Sequence, residues 1–558
     1  MPRQVTGMVV AEELTAARAA TRPTSAAPPV IVRLAVWGLL FGGCAARDAA
    51  DAPADRGPSG AMAHAPLTAA SEAAIRRFCG DCHALPLPSS FPRDRWPREV
   101  RQGYDLALAA GRGDLVRPVE RDAIRFFAAA APERLVVPRA ADSPAGAAPV
   151  RFVAAPLPAS LVRVDPAIAH VRGEADGTIL TTDMRHGEVS RWRPTPAGWT
   201  AEVIARSDHP CRVVPVEAAP VAAADSAPRP HLLADLGSFL PEDHAAGAVL
   251  ACADDGTVRR LVHGLSRVVE ARWCDFDDDG RDDLIVAEFG WVATGALRVF
   301  LARAPGDDAA PPQVVAGPAG PGPAPAEAPG YREIVLDPRH GALGVRLADL
   351  DGDGRDDIVA AFAQEHETVD VWWNRGGGRH EHQTLLRLPD PSYGSSSFEV
   401  ADLDGDGRLD ILHANGDTMD SGLAKPYHGI RRILNRGSAG FIVEELTTMV
   451  GVCQATAADL DLDGDLDIVA ASLHPAAHEE PAGTFDSLLW LEQLPDGSYA
   501  RHAIERDRCE HAAFTVADVD ADGRPDLVVG CWRAAEDGQP HAPLSVFLNR
   551  AAGPAAAE

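Results

Sequence analysis

The sequence predicts a mainly β protein, a seven-bladed β-propeller preceded by a small all-α domain. An acidic loop recurs five times in one register, short β-type runs bracket every copy, and a segment with helical apolar spacing stands ahead of them. The totals agree with this reading. With 558 residues, 46% hydrophobic and 24% charged, the chain is globular in composition and longer than one ordinary core. A formal charge of -29 argues against a nucleic-acid partner.

Residues 1–44 read as a leader. Arg33 leads into the apolar run Leu34-Ala35-Val36-Trp37-Gly38-Leu39-Leu40-Phe41-Gly42-Gly43-Cys44, too short to span a bilayer and of the length of a signal-peptide core. Gly42-Gly43-Cys44 resembles a bacterial lipoprotein box. The resemblance implies lipidation of Cys44, a periplasmic or outer-membrane and cell-surface location, and membrane contact through the lipid anchor only. Phe41 departs from the usual aliphatic residue, so cleavage by ordinary signal peptidase stays open. Residues 45–66, rich in Ala, Asp, Pro and Gly, read as a flexible tether.

Residues 67–134 form the all-α domain. A helix beginning near Thr68 or Ser71 is expected to end at Phe78-Cys79-Gly80-Asp81-Cys82-His83. Cys-x-x-Cys-His is the covalent haem c attachment pattern, in which both thiols form thioethers and the adjacent imidazole reaches the iron. A second helical pattern over 118–130 (Val119, Ala123, Ile124, Phe127) is expected to pack across the first. The segment resembles the monohaem cytochromes c, which implies one covalent haem c on Cys79, Cys82 and His83 and an electron-transfer role. A redox or disulfide Cys-x-x-Cys is the alternative, whereas zinc would need a further cysteine or histidine pair that this segment lacks. No Met lies between His83 and Met184. The distal ligand is therefore open among Tyr104, His64, Met62, a propeller histidine, or none. Residues 135–149 are an Ala/Pro-rich linker.

The propeller is expected over 150–550. Each acidic loop has Asp at positions 1, 3, 5 and 9 and Gly at 6. They comprise Asp275, Asp277, Asp279 and Asp283; Asp349, Asp351, Asp353 and Asp357; Asp402, Asp404, Asp406 and Asp410; Asp459, Asp461, Asp463 and Asp467; and Asp518, Asp520, Asp522 and Asp526. Four converging carboxylates need a cation, and an all-protein oxygen cage suits calcium better than magnesium. The backbone carbonyls of Arg281, Arg355, Arg408, Asp465 and Arg524 at position 7 would add a ligand, giving up to five calcium ions. Position 12 holds no Glu and the flanks are not helical, so this is no helix-loop-helix hand. Solvated Asp-Gly turns are the plain alternative.

A run precedes each loop (344–348, 398–401, 514–517), a second follows (284–287, 358–361, 468–471, 527–530), a third comes after a variable loop (297–301, 369–373, 430–434, 488–491, 544–548), and a fourth closes the unit, as at 441–446. Four strands per unit is a propeller blade. These residues resemble the FG-GAP/VCBS repeat family, the calcium-loop propellers that include the integrin head, over about 400 residues. Earlier units at 178–184 and 231–237 lack the acidic loop, which makes seven blades. The last blade ends on its third strand, and 551–558 read as a tail. The run Val150-Arg151-Phe152-Val153-Ala154-Ala155 is expected to supply the missing strand and leave no exposed edge. The insertions 215–230 and 304–329 are low-complexity stretches.

Six further cysteines (Cys211, Cys252, Cys274, Cys453, Cys509, Cys531) allow three disulfides or buried thiols. Opposite the acidic loops, the loops joining second and third strands carry Met184-Arg185-His186, Pro241-Glu242-Asp243-His244, Phe289-Gly290-Trp291, Gln364-Glu365-His366-Glu367, 417–428, 474–480 and Trp532-Arg533. That face is where a ligand is expected, also by the integrin resemblance. His474, His478 and Glu479 are a candidate transition-metal set. The first functional expectation is an exported haem c electron-transfer protein whose calcium-binding propeller is a docking or ligand platform. Its partner would be a redox protein or a ligand on the rim. The alternatives are a propeller dehydrogenase oxidising a sugar or alcohol with the haem as electron exit, and a surface adhesion module. No catalytic residue can be named from the sequence.

Overall fold

Short apolar runs separated by polar turns build seven antiparallel blades, each with four strands running outward from the centre. The computed structural model describes residues 66–137, 148–196, 198–214, 230–253, 256–303, 313–314, 325–533 and 537–551. Cys44, Met62 and His64 lie outside them. Blade 5 is representative: Ser395–Ala401, Asp410–Asn415, Gly429–Asn435 and Phe441–Thr448.

Every residue of the second strands Asp283–Glu288, Asp357–Phe362, Asp410–Asn415, Asp467–Ser472 and Asp526–Cys531 is buried, whereas the outer strand Phe441–Thr448 is largely open. The second strand has neighbouring blades on both faces, which is why apolar residues run consecutively along it, as at 284–287 and 358–361, instead of alternating. Leu403, Leu412 and Ile430 of blade 5 pack against Val452, Ile468 and Leu489 of blade 6 in one such interface.

The ring closes as the sequence anticipates. Val150–Ala155 pairs antiparallel with Leu544–Ala551, from Val150 opposite Ala551 to Ala155 opposite Val546, and so completes blade 7. That third strand runs on to Ala551, past the expected 544–548 and into the first residue of the expected tail. Blade 3 gains an unexpected fifth strand, Gln313–Val314, parallel to Tyr331–Asp337 and drawn from the low-complexity insertion.

Near the axis a charge cluster ties three inner strands together. Glu270, fully buried, meets Arg212 at 2.8 Å, Arg272 at 2.8 Å and Arg346 at 2.9 Å. Burial alone would raise its carboxyl; the three guanidinium groups outweigh that and hold it well below the usual range.

Ahead of the propeller stand three helices. In α1, Ala69–Cys79, Thr68 caps the start by accepting from Ser71 N at 3.1 Å, and Arg76 and Arg77 lie in the last turn where the helix dipole favours cations. Helix α2, Trp96–Ala109, was not expected. Pro97 sits where a helix tolerates it, and Trp96, Val100 and Tyr104 make one buried stripe at four-residue spacing. In α3, Glu120–Ala128, Ala123 and Phe127 face inward. Phe127 stacks on Trp96 with centroids 4.2 Å apart, and Phe78 meets Tyr104 edge-on at 5.1 Å. No helix among the described residues is long and apolar enough to cross a membrane.

The three-disulfide arrangement does not form: Cys211, Cys274, Cys453, Cys509 and Cys531 are free thiols. Burial pushes those of Cys211, Cys509 and Cys531 up to about 11, so they are protonated and inert packing groups.

Candidate functional site

The acidic loops lie at one end of the ring, each joining the first strand of a blade to the second. Their geometry is built from inside. Position 2 is apolar in every copy and buried (Phe276, Leu350, Leu403, Leu460, Val519), a plug that holds the loop down. The N–H of that plug donates to the carboxylate at position 9, as from Leu403 to Asp410 at 3.0 Å, and the other oxygen accepts from the third strand, as from Asn435 N at 2.7 Å. The pattern recurs at Asp283, Asp357, Asp467 and Asp526. Position 1 accepts from the N–H groups of positions 5 and 6, as Asp402 does from Asp406 at 3.1 Å and Gly407 at 2.9 Å. Gly407, at φ +86°, supplies the left-handed turn.

Carboxylate oxygens of Asp275, Asp277 and Asp279, of Asp349, Asp351 and Asp353, and of Asp402, Asp404 and Asp410 lie within 4.8 Å of one another. Asp277 Oδ1, Asp404 Oδ1 and Asp465 Oδ1 are buried with no hydrogen-bond partner. Burial, with repulsion from neighbouring aspartates, pushes Asp465 up to about 6, and burial raises Asp467 to about 7. Orphaned oxygens in a self-repelling carboxylate set fit a hard divalent cation.

Two features escaped the sequence. The position-7 side chains of Arg281, Arg355 and Arg408 fold back onto position 5, as Arg355 does to Asp353 at 2.8 Å. Arginines just after the third strand reach position 3, as Arg375 does to Asp351 at 2.6 Å and Arg436 to Asp404, and Arg550, near the end of the third strand of blade 7, does the same to Asp520. The loop 459–467 has Asp465 where the others have arginine, so five carboxylates gather there.

The three helices sit at the opposite end of the ring. Asp390 accepts from Leu87 N at 3.0 Å and from Ser90 Oγ at 2.6 Å, and Tyr427 OH donates to Ser90 O at 3.0 Å. Leu423 packs against the helical core.

Between helices and rim lies a cavity of about 290 Å³. Cys79, Cys82 and His83 line one wall, with Phe91, Trp96, Val100, Tyr104, Leu115 and Phe127. The propeller supplies Trp291, His340, Gln364, Glu365, Glu367, Asp417 and Asp420. Both cysteines are free thiols, and burial raises Cys79 to about 11. His83 Nδ1 lies 2.7 Å from Ala84 O, a contact that fixes the proton on Nδ1 and leaves Nε2 as the donor lone pair. Two thiols, an imidazole with its outer nitrogen available and an aromatic wall fit a covalently held haem. Tyr104, which lines the cavity, donates its hydroxyl to Pro118 O at 3.1 Å.

Glu367 is buried and pushed up to about 8 by burial, with its Oε2 held by Ser395 N and Oγ, both at 2.7 Å. Of the expected rim loops, those of blades 3, 4 and 5 reach the cavity; those of blades 1, 2, 6 and 7 do not line it. His340 was missed because it lies on a loop joining one blade to the next. Those loops emerge on the same face, and that rule would have found it. Of the candidate set His474, His478 and Glu479, His474 is buried against Phe485, while His478 is exposed with Nδ1 at 2.9 Å from Pro475 O.

Residues 333–413, from the outer strand of blade 3 to the second strand of blade 5, match the FG-GAP-like repeat family. That stretch of the propeller is FG-GAP-like. Integrin alpha pat-2 of Caenorhabditis elegans is 25% identical over 231 residues, covering 35% of this chain and 18% of that protein, and its Caenorhabditis briggsae counterpart matches equally. The chain thus spans less than a fifth of the length of these relatives. Among solved structures, virginiamycin B lyase from Staphylococcus aureus is similar at 10% identity and TM-score 0.39, over 71% of this chain and 99% of that one. The Dos1 propeller is similar at 9% identity and TM-score 0.37, over 68% and 77%. In this chain the FG-GAP match centres on the blade whose loops form most of the cavity's propeller wall.

Proposed function

We propose that this chain is an exported haem c electron-transfer protein in which an FG-GAP propeller, stiffened by calcium, is the platform that carries and walls the haem module. The observation that carries the reading is the shared cavity: the Cys79-x-x-Cys82-His83 motif and a propeller rim line the same space, with Cys82 reaching solvent at its edge. Cys79 and Cys82 would hold the group as thioethers and His83 Nε2 would be available to its iron, with Nδ1 kept protonated by Ala84 O. When bound, the group supplies one-electron chemistry; the chain's own part is to exclude water with its aromatic wall and to set the field with rim carboxylates. The partner is a redox protein or a rim ligand. Export, and attachment to a membrane only through a lipid on Cys44, complete the proposal.

The test is a pyridine haemochrome spectrum of protein produced with a c-type maturation system, beside the Cys79→Ala/Cys82→Ala double variant. Covalent haem in the first and none in the second is expected. No covalent haem in the first, or haem persisting in the second, refutes the reading.

One observation favours a second reading, the dehydrogenase. Glu367, raised to about 8, places a carboxyl that is partly protonated at neutral pH in the wall of the same cavity. Reduction of the haem by a sugar or alcohol, lost in Glu367→Gln with haem content unchanged, would support it.

A further inference from the structure

At the propeller end of the cavity three side chains converge from two loops. His340 lies between the outer strand of blade 3 and the inner strand of blade 4, and Glu365 and His366 lie between the second and third strands of blade 4. One ligand atom from each falls within 4.8 Å of the others. His340 Nε2 is 2.7 Å from Glu365 Oε2. His366 Nε2 is buried without any hydrogen-bond partner, and the His340 and His366 rings are 5.2 Å apart.

From this we infer a transition-metal site formed by His340, Glu365 and His366, selective for a first-row divalent ion that accepts imidazole, with zinc as the reference case. Two nitrogens and one carboxylate oxygen are the donor set such ions prefer, and calcium and magnesium prefer oxygen alone. Three protein donors leave coordination positions over, and both His340 and Glu365 line the cavity, so those positions face a space a small ligand could enter.

The surroundings support ligation over a simple ion pair. A His340–Glu365 pair needs no third member, yet His366 holds a buried, unsatisfied nitrogen beside it. Gln364 at φ +58° and Glu367 at φ +48° flank the two ligands in left-handed backbone, a cost that non-glycine residues bear only where the surroundings enforce it. Glu367 is clamped by Ser395, and Leu388 N donates to Glu367 O at 2.9 Å, so the loop is fixed from behind. His340 packs over Gly295, where an added Cβ would come within 2.7 Å of His340 Cβ. Arg339, the nearest cation in sequence, is engaged by Asp337 at 2.8 Å and Asp370 at 2.9 Å and so does not oppose a metal with a free charge.

The site does not depend on the haem reading. Its test uses the full chain, stripped with chelator, restored with excess calcium to fill the acidic loops, and titrated with zinc. One equivalent of zinc is expected to bind, with affinity lowered at least about ten-fold in His340→Ala and in His366→Ala, since loss of a partner one shell further out already costs that much. Calcium content and melting temperature should stay those of the parent. His340→Asn and His366→Gln repeat the comparison if either alanine variant unfolds. Zinc binding equal in all variants, or no zinc bound by the parent, overturns the site. So does a His340 variant that alters the haem spectrum while the parent holds no zinc, which would make that imidazole an iron ligand.

Discussion

Removing calcium should loosen the whole ring, and the loops say by how much. A ligand present at about ten times its dissociation constant stabilises the folded state by about 1.4 kcal/mol per site, so five loops acting independently give about 7 kcal/mol. For a folded unit of roughly 400 residues, 1 kcal/mol moves the midpoint by about 1.2 °C, so chelation should lower the melting temperature by about 8 °C. The loops should not contribute equally. Arg375, Arg436 and Arg550 already neutralise position 3 in three of them, whereas 459–467 gathers five aspartates, one of them at the position where the other loops carry arginine. Asp461→Asn should therefore abolish more than a fifth of the calcium-dependent shift, and Asp351→Asn less. The assay is differential scanning calorimetry in calcium, in magnesium and in chelator. A chelation shift below about 1 °C, or magnesium serving as well as calcium, would refute the cage argument.

Three more outcomes follow from the packing. His413 is buried beside Ser395 Oγ at 3.1 Å, and burial, with Arg431 nearby, holds it down to about 3. It is neutral in the fold and charges in the unfolded chain, so its contribution is complete above pH 6.5 and is lost as pH falls toward 3; at pH 5 the loss is about 2 kcal/mol, and His413→Gln should flatten that acid limb in urea titrations. Glu270→Ala leaves three guanidinium groups crowded near the axis and should cost about 3–5 kcal/mol by denaturant unfolding, with a near-zero cost refuting the cluster's role. Asp390→Ala removes the acceptor of Leu87 N and Ser90 Oγ and should release the helices from the rim, read as an increased radius of gyration in solution scattering; an unchanged radius would show that apolar contact alone holds them.

Much of this architecture is legible because it repeats. Asp at fixed spacing around a glycine, followed by an all-apolar run, marks the first two strands of a blade, and the lack of a fourth strand at the end predicts that Val150–Ala155 closes the ring. What failed to show was whatever depends on side-chain direction across long separations. Arg375 and Arg436 look like ordinary surface charges until the third strand brings them to Asp351 and Asp404. Helix α2 was hidden by Pro97 and Gly103, two residues that read as breakers although one stands at a tolerated position. The Cys79, Cys82, His83 wall was readable from spacing alone. Its other wall was legible in part: the rim loops of blades 3, 4 and 5 were expected there, but His340 was not, because it lies on a loop joining two blades. The cysteine count left disulfides and buried thiols both open, because compatible numbers say nothing about whether thiols meet.

The strand that completes blade 7 is made first and its partner last, about 400 residues apart. A chain emerging from the ribosome therefore carries an unlatched wheel until synthesis reaches Leu544–Ala551, and contacts so distant along the chain form slowly. During that interval the outer edge of the final blade and the helices upstream of Val150–Ala155 are untethered to each other. Truncating the last strand should thus yield not six sound blades but an aggregation-prone open spiral.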